Sequence, residues 1–372
     1  KKLNVPNSTD KGNVIRNVPH LRFPEFEGEW EKCKFKDVCN ISTGNKNTQD
    51  KADDGIYPFY VRSQTVERIN SWTFDGEAIL TAGDGVGVGK VFHHSYGKIG
   101  VHQRVYILSD FKCDANYLFH FFSSKFYNRV KRMSAKNSVD SVRKEMITDM
   151  PLSLPCHKEQ VQIGHMLSLL DERIATQSKI IEDLKKLKSA ISKKLLCNDK
   201  WTTCIIQDIA EIGRGRVISS VEIDRQKNPL YPVYSSQTSN NGIMGYLDNY
   251  MFDGEYITWT TDGANAGTVF YRKGKFNCTN VCGTLKIQSK FDCYFVSLVL
   301  QQATQKYVSS NLANPKLMNN TMASIKIRMP NIETQKQLSK VFQTLDSCLL
   351  VHQRTCKMYQ SEKQYLLRQM LI

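Results

Sequence analysis

A glycine-rich segment at residues 81–90 is the first place where this sequence could carry out chemistry, because glycine loops can cradle phosphate groups. A P-loop needs glycine five residues before its Gly-Lys pair and Ser or Thr after it, whereas Asp84 and Val91 occupy those positions. The dinucleotide-binding pattern fails as well, since Lys90 stands where its third glycine belongs. A similar segment at residues 262–268 has no lysine. Both segments are therefore predicted to be tight turns between strands.

Other catalytic and metal-binding motifs give no better candidate. The Asn-Pro-Leu-Tyr run at 228–231 resembles the catalytic Asn-Pro-Pro-Tyr motif of amino-methyltransferases, but it lacks the second proline and follows no glycine-rich methyl-donor fingerprint. The close pair Cys278 and Cys282 has no matching second pair, which a structural zinc site would need. Single histidines such as His102 and His165 are expected to be packed or hydrogen-bonded. The sequence therefore predicts neither catalytic residues nor a metal site.

The composition favours an anionic partner. The chain has 372 residues, a net charge of +15 and an apolar fraction of 41%. Charge of this sign and size favours nucleic acid over a membrane surface, because no lipid-seeking amphipathic segment is present. No apolar run is long enough to span a membrane and no signal peptide is visible, so the eleven cysteines are predicted to be reduced thiols of a cytoplasmic protein.

Polar residues suited to nucleic-acid contacts collect in the predicted turns. Arg can pair with guanine through two hydrogen bonds and Asn or Gln with adenine, while Lys mainly contacts phosphate. Residue type and repeat position together predict these DNA-binding residues: Arg62, Ser63, Gln64, Lys90, Gln103, Arg104, Arg214, Arg216, Ser236, Gln237, Lys273 and Asn280. Each residue alone would be an ordinary solvated surface residue, so the prediction depends on the whole set.

The segments that carry these residues occur twice, about 175 residues apart. The motifs of the first copy are Trp30 to Gly44, Tyr57-Pro58-Phe59-Tyr60, Ser63-Gln64-Thr65, Phe74-Asp75-Gly76-Glu77, Asp84-Gly85, Gly89 and Val91-Phe92. Their counterparts are Trp201 to Gly215, Tyr231-Pro232-Val233-Tyr234, Ser236-Gln237-Thr238, Phe252-Asp253-Gly254-Glu255, Asp262-Gly263, Gly267 and Val269-Phe270. A repeat of this length indicates a domain duplication rather than a solenoid.

Each copy is followed by a long stretch with heptad spacing, which predicts a long helix. The seam of the first helix is Ile163, Leu167, Leu170, Ile174, Gln177, Ile181, Leu184, Lys188, Ile191 and Leu195. The seam of the second is Leu338, Phe342, Leu345, Leu349, His352, Cys356, Tyr359, Lys363, Leu366 and Met370. Each helix would be ~60 Å long and needs a partner for its seam. The two are predicted to pair antiparallel, the alternative being that each packs only on its own globular neighbour.

The predicted fold class is α+β, with two duplicated mixed α/β domains separated by two long helices that form an antiparallel coiled coil. The predicted organisation is an N-terminal tail at 1–20, a first domain at 21–155, a first helix at 156–198, a second domain at 199–330 and a second helix at 331–372.

This arrangement resembles the specificity subunit of type I restriction–modification systems. The resemblance extends over roughly residues 20–372, and its most specific feature is the duplication with interleaved long helices. The matching segments are Leu21-Arg22-Phe23-Pro24-Glu25-Phe26 through Trp30, Phe74-Asp75-Gly76-Glu77, residues 231–238, residues 252–267 and the two seam helices.

The resemblance implies a non-catalytic chain whose two target-recognition domains, 21–155 and 199–330, each recognise one half of a bipartite site in double-stranded DNA. It also implies that the helix pair sets the gap between the half-sites and docks two methyltransferase subunits. No cofactor is expected on this chain: S-adenosylmethionine would be held by the methyltransferase subunits. Restriction subunits, with ATP and Mg, would be optional further partners.

Two other classes of function remain open at this point. A coiled-coil scaffold with protein-binding domains predicts little DNA affinity and little salt dependence, whereas phosphate contacts weaken steeply with salt. An enzyme with an unrecognised site predicts stoichiometric binding of a methyl donor or nucleotide by the isolated chain.

Overall fold

The computed structural model describes residues 17–134, 141–196, 198–309 and 314–372. The chain divides into two compact units, Lys1–Ser178 with Gln353–Ile372 and Lys179–His352. Each unit therefore takes residues from both long helices. Most of the predicted N-terminal tail lies outside the described residues.

In its described residues, unit 1 contains short strands, two short helices and one longer core helix ahead of the first long helix. Its strands are β1 (Glu31–Lys34), β2 (Asn40–Thr43), β3 (Tyr57–Tyr60), β4 (Glu67–Ile69), β5 (Phe74–Asp75), β6 (Ala78–Ala82), β7 (Phe92–Ser95), β8 (Lys98–Val101), β9 (Val105–Ser109) and β10 (Pro151–Leu154). Its helices are α1 (Phe35–Val38), α2 (Ala115–Met133), α3 (Lys144–Thr148) and the first long helix, α4 (His157–Leu195), which continues into unit 2.

The strands of unit 1 form two four-stranded sheets, β2-β9-β6-β7 and β4-β3-β8-β5, and a two-stranded ribbon, β1-β10. Strands β3 and β8 run parallel, whereas the other pairs are antiparallel. An apolar cluster that includes Leu80, Ile99 and Val101 contains buried residues from both sheets. A larger cluster brings Phe35 of α1 together with Phe122 of α2 and the end of the second long helix.

Unit 2 repeats this plan. Its strands are β11 (Thr202–Ile205), β12 (Ala210–Arg214), β13 (Tyr231–Tyr234), β14 (Ile243–Leu247), β15 (Glu255–Thr260), β16 (Val269–Lys273), β17 (Asn277–Cys278), β18 (Cys282–Ile287) and β19 (Lys326–Met329). Its helices are α5 (Ile206–Ile209), α6 (Ser220–Asp224), α7 (Cys293–Ala303), α8 (Asn319–Ser324) and the second long helix, α9 (Ile332–Met370), which continues into unit 1.

The sheet order of unit 2 matches that of unit 1, except that β5 has no counterpart among the described strands of unit 2. Its strands are ordered β12-β18-β15-β16, β14-β13-β17 and β11-β19, and the parallel pair β13-β17 corresponds to β3-β8. The strand register differs between the units at one place. Thr81 pairs with Phe92 in unit 1, whereas its counterpart Trp259 pairs with Val269 rather than Phe270 in unit 2. The pairing after the turn is therefore shifted by one residue in unit 2.

The predicted seam positions of the long helices are buried or half-buried within each unit, apart from Leu195. In unit 1, Ile163 and Leu167 of α4 and Leu366 and Met370 of α9 belong to the same apolar core. In unit 2, Phe342 of α9 is buried in the second core, with Ile191 packed against it. Leu195 is a correction to the predicted seam: its side chain is 37% exposed, and Leu196, at the end of the helix, is buried instead.

Matching glutamines fasten the start of each long helix to the neighbouring core helix. The side chain of Gln160 accepts a 2.9 Å bond from the Asp114 N–H and donates one of 2.8 Å to the Pro155 carbonyl. Gln335 makes the same two bonds, 3.0 Å from the Asp292 N–H and 2.8 Å to the Pro330 carbonyl. Because Asp114 and Asp292 cap α2 and α7, the same bonds set the position of the core helix in both units.

Candidate nucleic-acid interface

A carboxylate flanked by two arginines marks the candidate site of unit 1. Asp84 lies in the turn after β6, where its Oδ1 accepts a 2.9 Å bond from Nη1 of Arg62 and its Oδ2 lies 3.7 Å from Nε of Arg104. The side chain of Asp84 is 27% exposed, and those of Arg62 and Arg104 are 45% and 65% exposed. The aspartate therefore positions two guanidinium groups that remain accessible for bidentate contacts with bases or phosphates.

The neighbouring polar residues are held by local hydrogen bonds. The buried His102 accepts a 3.0 Å bond from the Arg104 N–H at Nδ1, and burial, followed by the charge of Arg62, lowers its pKa. Gln103 donates a 2.7 Å bond to Oδ1 of Asn47. The Ser63 carbonyl lies 3.1 Å from Nε2 of His93. These contacts fix the backbone around the two arginines.

The corresponding carboxylate of unit 2 is Asp262, in the turn after β15. Nη2 of Arg214 lies 3.4 Å from Oδ2 of Asp262, and Nζ of Lys316 lies 3.8 Å from Oδ1. Arg214 also donates from Nε to the Asn280 carbonyl at 2.5 Å and from Nη2 to Oγ1 of Thr261 at 3.2 Å. Asp262 is 22% exposed, less than either cation. Each unit therefore has one aspartate between two cations.

The two clusters share the aspartate but not the cations. Arg62 and Arg104 follow β3 and precede β9, whereas Arg214 ends β12 and Lys316 precedes α8. Sequence reasoning missed Lys316, and it treated Asp84 and Asp262 only as turn residues. The recurrence of Asp-Gly in both copies was the signal that could have identified the two aspartates.

The structure places the other predicted residues as follows. Gln64 is exposed next to Ser63, and Nζ of Lys90 lies 5.1 Å from the ring centre of Tyr127 on α2, so this lysine is held against the helix. Arg216 forms an ion pair with Glu222 of α6, with a 2.9 Å bond from Nη1 to Oε2. The Ser236 carbonyl accepts a 3.1 Å bond from Asn265, and the Gln237 side chain donates to the Ile243 carbonyl.

Lys273 does not join the cluster of unit 2. It pairs across the sheet with Glu255, and its Nζ lies 3.1 Å from Oε1 of that residue. Glu255 begins β15, whereas Asp262 follows the end of that strand. The two places are separated by a strand of about 17 Å, at about 3.3 Å per residue.

The close cysteine pair of unit 2 consists of two buried free thiols. Burial raises the thiol pKa of both Cys278 and Cys282, the close pair considered for zinc. Among the described residues, no group of three or more His, Cys, Asp or Glu side chains is placed to hold a metal ion. Within the same ranges we find no helix with both the length and the apolar character needed to cross a membrane.

Comparison with known families matches both units to one domain. The model of the type I restriction modification DNA specificity domain matches residues 27–186 and again residues 198–357. The chain belongs to this family. The two matched segments follow the internal repeat, and the specificity-domain fold, with mixed α/β units and a pair of long helices, confirms the predicted fold class.

Similar proteins carry the same family name. A putative type I specificity subunit of Mycoplasma pneumoniae, S.MpnORF201P, is 37% identical over 199 residues, which cover 52% of this chain and 82% of that protein. The type I restriction enzyme MpnII specificity subunit of the same organism is 42% identical over 146 residues, covering 39% and 43%. The crystal structure of a type I restriction-modification S subunit from M. genitalium superposes with a TM-score of 0.77 at 16% identity, covering 95% of this chain and 99% of that one. At this identity the structural match shows the fold alone.

Proposed function

We propose that this chain is the DNA-specificity subunit of a type I restriction–modification complex, and that each unit recognises one half of a bipartite site. The observation that carries the proposal is the pair of clusters around Asp84 and Asp262. Both clusters stand at the same place in the repeated fold, and both expose cations that an aspartate holds in position. Equal scaffolds with different cations are what two readers of different half-sites require.

The long helices would set the gap between the half-sites and dock two methyltransferase subunits. A helix of 39 residues is ~60 Å long, which is about the length of 17 base pairs. That length suits two short half-sites about one helical turn of DNA apart. The methyltransferase subunits would bring S-adenosylmethionine, and optional restriction subunits would bring ATP and Mg. On this proposal the chain itself contributes binding and spacing but no catalytic residue.

The first test is to co-express the chain with its cognate methyltransferase subunit and to determine the methylated positions in host DNA by single-molecule sequencing. We expect a split motif with two defined halves around a fixed gap. Exchanging residues 199–330 for those of another family member should change one half only. A continuous motif, or no methylation by an intact complex, would contradict two readers and favour a protein-binding scaffold.

The spacer role has a separate test. Removing one heptad from each long helix, residues 174–180 and residues 349–355, should shorten the preferred gap and leave both half-sites unchanged. The reason is that one heptad is ~10 Å of helix, which is about three base pairs of DNA. Sequencing of methylated sites that showed an unchanged gap would rule out the helices as the spacer.

A further inference from the structure

Unit 1 has a cavity that the proposed DNA contacts do not use. It lies between α2, the ribbon β1-β10 and the end of α9, and its volume is about 430 Å³, within the range of small ligand sites. Apolar and basic side chains line it, among them Phe121, Leu152, Lys32, Lys125, Arg129 and Arg132. Positions 121, 125, 129 and 132 share one face of α2, so the helix presents one aromatic ring and three cations to the cavity.

Three of these cations donate hydrogen bonds to main-chain carbonyls. Nζ of Lys125 donates to the Leu371 carbonyl at 2.9 Å, Nε of Arg129 to the Met146 carbonyl at 2.7 Å and Nε of Arg132 to the Asn128 carbonyl at 3.3 Å. Burial lowers the pKa of Lys125 and of Arg129. No described residue of the lining is acidic. The charge of Asp149, outside the lining, acts on the pKa of Arg129 in the opposite direction to burial. Four cations around a partly apolar cavity with no acidic side chain in its described lining favour an anionic occupant.

Unit 2 has a cavity at the corresponding place. It lies between α7, the ribbon β11-β19 and the end of α4, with a volume of about 580 Å³. Its lining includes Leu196, Val299, Ile327, Lys306, Lys326 and Arg328, again with no described acidic residue. The cavity therefore belongs to the repeated fold.

The charge of the cavity is kept although its residues change. Lys32 faces Ser153 across the ribbon of unit 1, and the corresponding pair in unit 2 is Thr203 and Arg328. One member of the pair is a cation in both units, but on opposite strands. The repeat thus preserves a positive charge at this position without preserving the residue that supplies it.

We propose that each cavity docks an acidic segment of one methyltransferase subunit, with an apolar side chain in the cavity and carboxylates on its cations. This inference rests on the proposed function and adds a second docking contact, next to the end of a long helix, to the helix surface proposed there. Two equivalent cavities fit two copies of one partner. Apolar side chains line both cavities, Phe121 and Leu152 in unit 1 and Val299 and Ile327 in unit 2. They favour a protein side chain over a DNA phosphate, because a phosphate group gains nothing from contact with apolar surface.

The test is sedimentation of the full chain with the purified cognate methyltransferase subunit near its dissociation constant. Lys32→Glu with Arg132→Glu should weaken one of two binding events by at least about tenfold and leave one methyltransferase bound. The double variant Lys306→Glu with Lys326→Glu should remove the other methyltransferase, which binds at the cavity of unit 2. The matched control is Lys112→Glu with Lys131→Glu, which reverses two exposed lysines of unit 1 outside the cavity and should keep both methyltransferases.

A variant that strengthens binding excludes misfolding as the cause. Arg328 contacts the exposed carboxylate of Asp199, which competes with an incoming carboxylate. Asp199→Asn should therefore tighten the unit 2 site by up to about fivefold. If the cavity variants do not weaken methyltransferase binding and Asp199→Asn does not strengthen it, the inference is wrong.

The remaining outcomes separate this inference from the proposed function. If the cavity variants keep two methyltransferases but lose DNA affinity and salt dependence, the cavities bind DNA and the inference is wrong. If the wild-type chain binds no methyltransferase at all, the proposed function itself fails.

Discussion

The ammonium group of Lys363 lies 2.5 and 2.6 Å from the two carboxylate oxygens of Asp171, joining α9 to α4 within unit 1. The same pair recurs in unit 2 with the helices exchanged, where Lys188 of α4 bonds to Asp346 of α9. Each member of the second pair lies 175 positions from its counterpart, Asp346 from Asp171 and Lys363 from Lys188. The lysines that interrupt the apolar seam thus have dedicated partners, which fix the register of the two helices in each unit.

The first prediction concerns this pair. In a double-mutant cycle of Lys363→Ala and Asp171→Ala, the coupling free energy should be about 1–2 kcal/mol, because the lysine is only 18% exposed and both oxygens contact it. Urea unfolding of the four proteins measures it. The cycle of Lys186 with Glu182, an exposed pair on α4, should give a clearly smaller coupling free energy, because solvent screens both charges. Equal coupling in both cycles would mean that the seam pair does not specify register.

The second prediction concerns the segment before β1. Arg22 donates from Nε and Nη2 to the two carboxylate oxygens of Glu159, both at 2.8 Å, and the Glu159 side chain is fully buried. Arg22→Ala leaves that carboxylate without its cation and should lower the free energy of unfolding by about 3–5 kcal/mol. Adding Glu159→Met should recover part of the loss, because it removes the unpaired charge. If the double variant is less stable than Arg22→Ala, the buried charge is not the cause.

The third prediction reverses an ordinary helix preference. A Cβ on Gly164 of α4 would lie 2.6 Å from Oδ1 of Asp114 and 2.7 Å from the main-chain nitrogen of Tyr117. Gly164→Ala should therefore cost about 1–3 kcal/mol, although alanine ordinarily favours a helix by about 1 kcal/mol. Its counterpart Ser339 carries a side chain, whose hydroxyl donates a 2.5 Å bond to Asp292.

Thermal unfolding of Gly164→Ala beside Ser189→Ala provides the measurement. Ser189 is exposed on the same helix, so its replacement should be neutral or slightly stabilising. A stabilised Gly164→Ala variant would show that α4 can move away from α2 without loss.

The fourth prediction is a pH dependence. His120 is buried, and its Nδ1 has no hydrogen-bond partner among the described residues. Burial together with the charge of Lys363 lowers its pKa to about 3. In the unfolded chain the imidazole of His120 binds a proton near pH 6.5, whereas in the folded chain it stays neutral to a much lower pH. The free energy of unfolding is therefore at its full value above about pH 6.5 and decreases as the pH falls towards 3. At pH 5, which is about 1.5 pH units below the pKa of the unfolded chain, the free energy of unfolding should be lower by about 2 kcal/mol.

Urea unfolding of the wild type and of His120→Gln between pH 7.5 and pH 5 checks this sign and size. The wild type should lose about 2 kcal/mol more than the variant over this range. Parallel stability curves would mean that His120 is protonated in the folded state, where its Nδ1 lies 3.8 Å from the Asp171 carboxylate.

The repeat and the long helices could be derived from the sequence because both are periodic and local. Heptad spacing fixes which face of a helix is apolar, and α4 and α9 occupy the stretches where that spacing holds. Residues such as Gly85 and Gly263 mark turns in both copies, since their φ angles of 76° and 91° suit glycine. Motifs of this kind need no knowledge of distant neighbours.

Tertiary structure alone decided which side chains meet. Lys316 reaches Asp262 from a distant part of the chain, and no spacing rule predicts that approach. Lys273 has the right charge and repeat position, but the ladder that pairs it with Glu255 keeps it a strand length from Asp262. The two basic cavities likewise arise where a ribbon, a core helix and the end of a long helix converge. The physical reason is that periodicity specifies faces, whereas contacts between distant segments depend on how those faces pack.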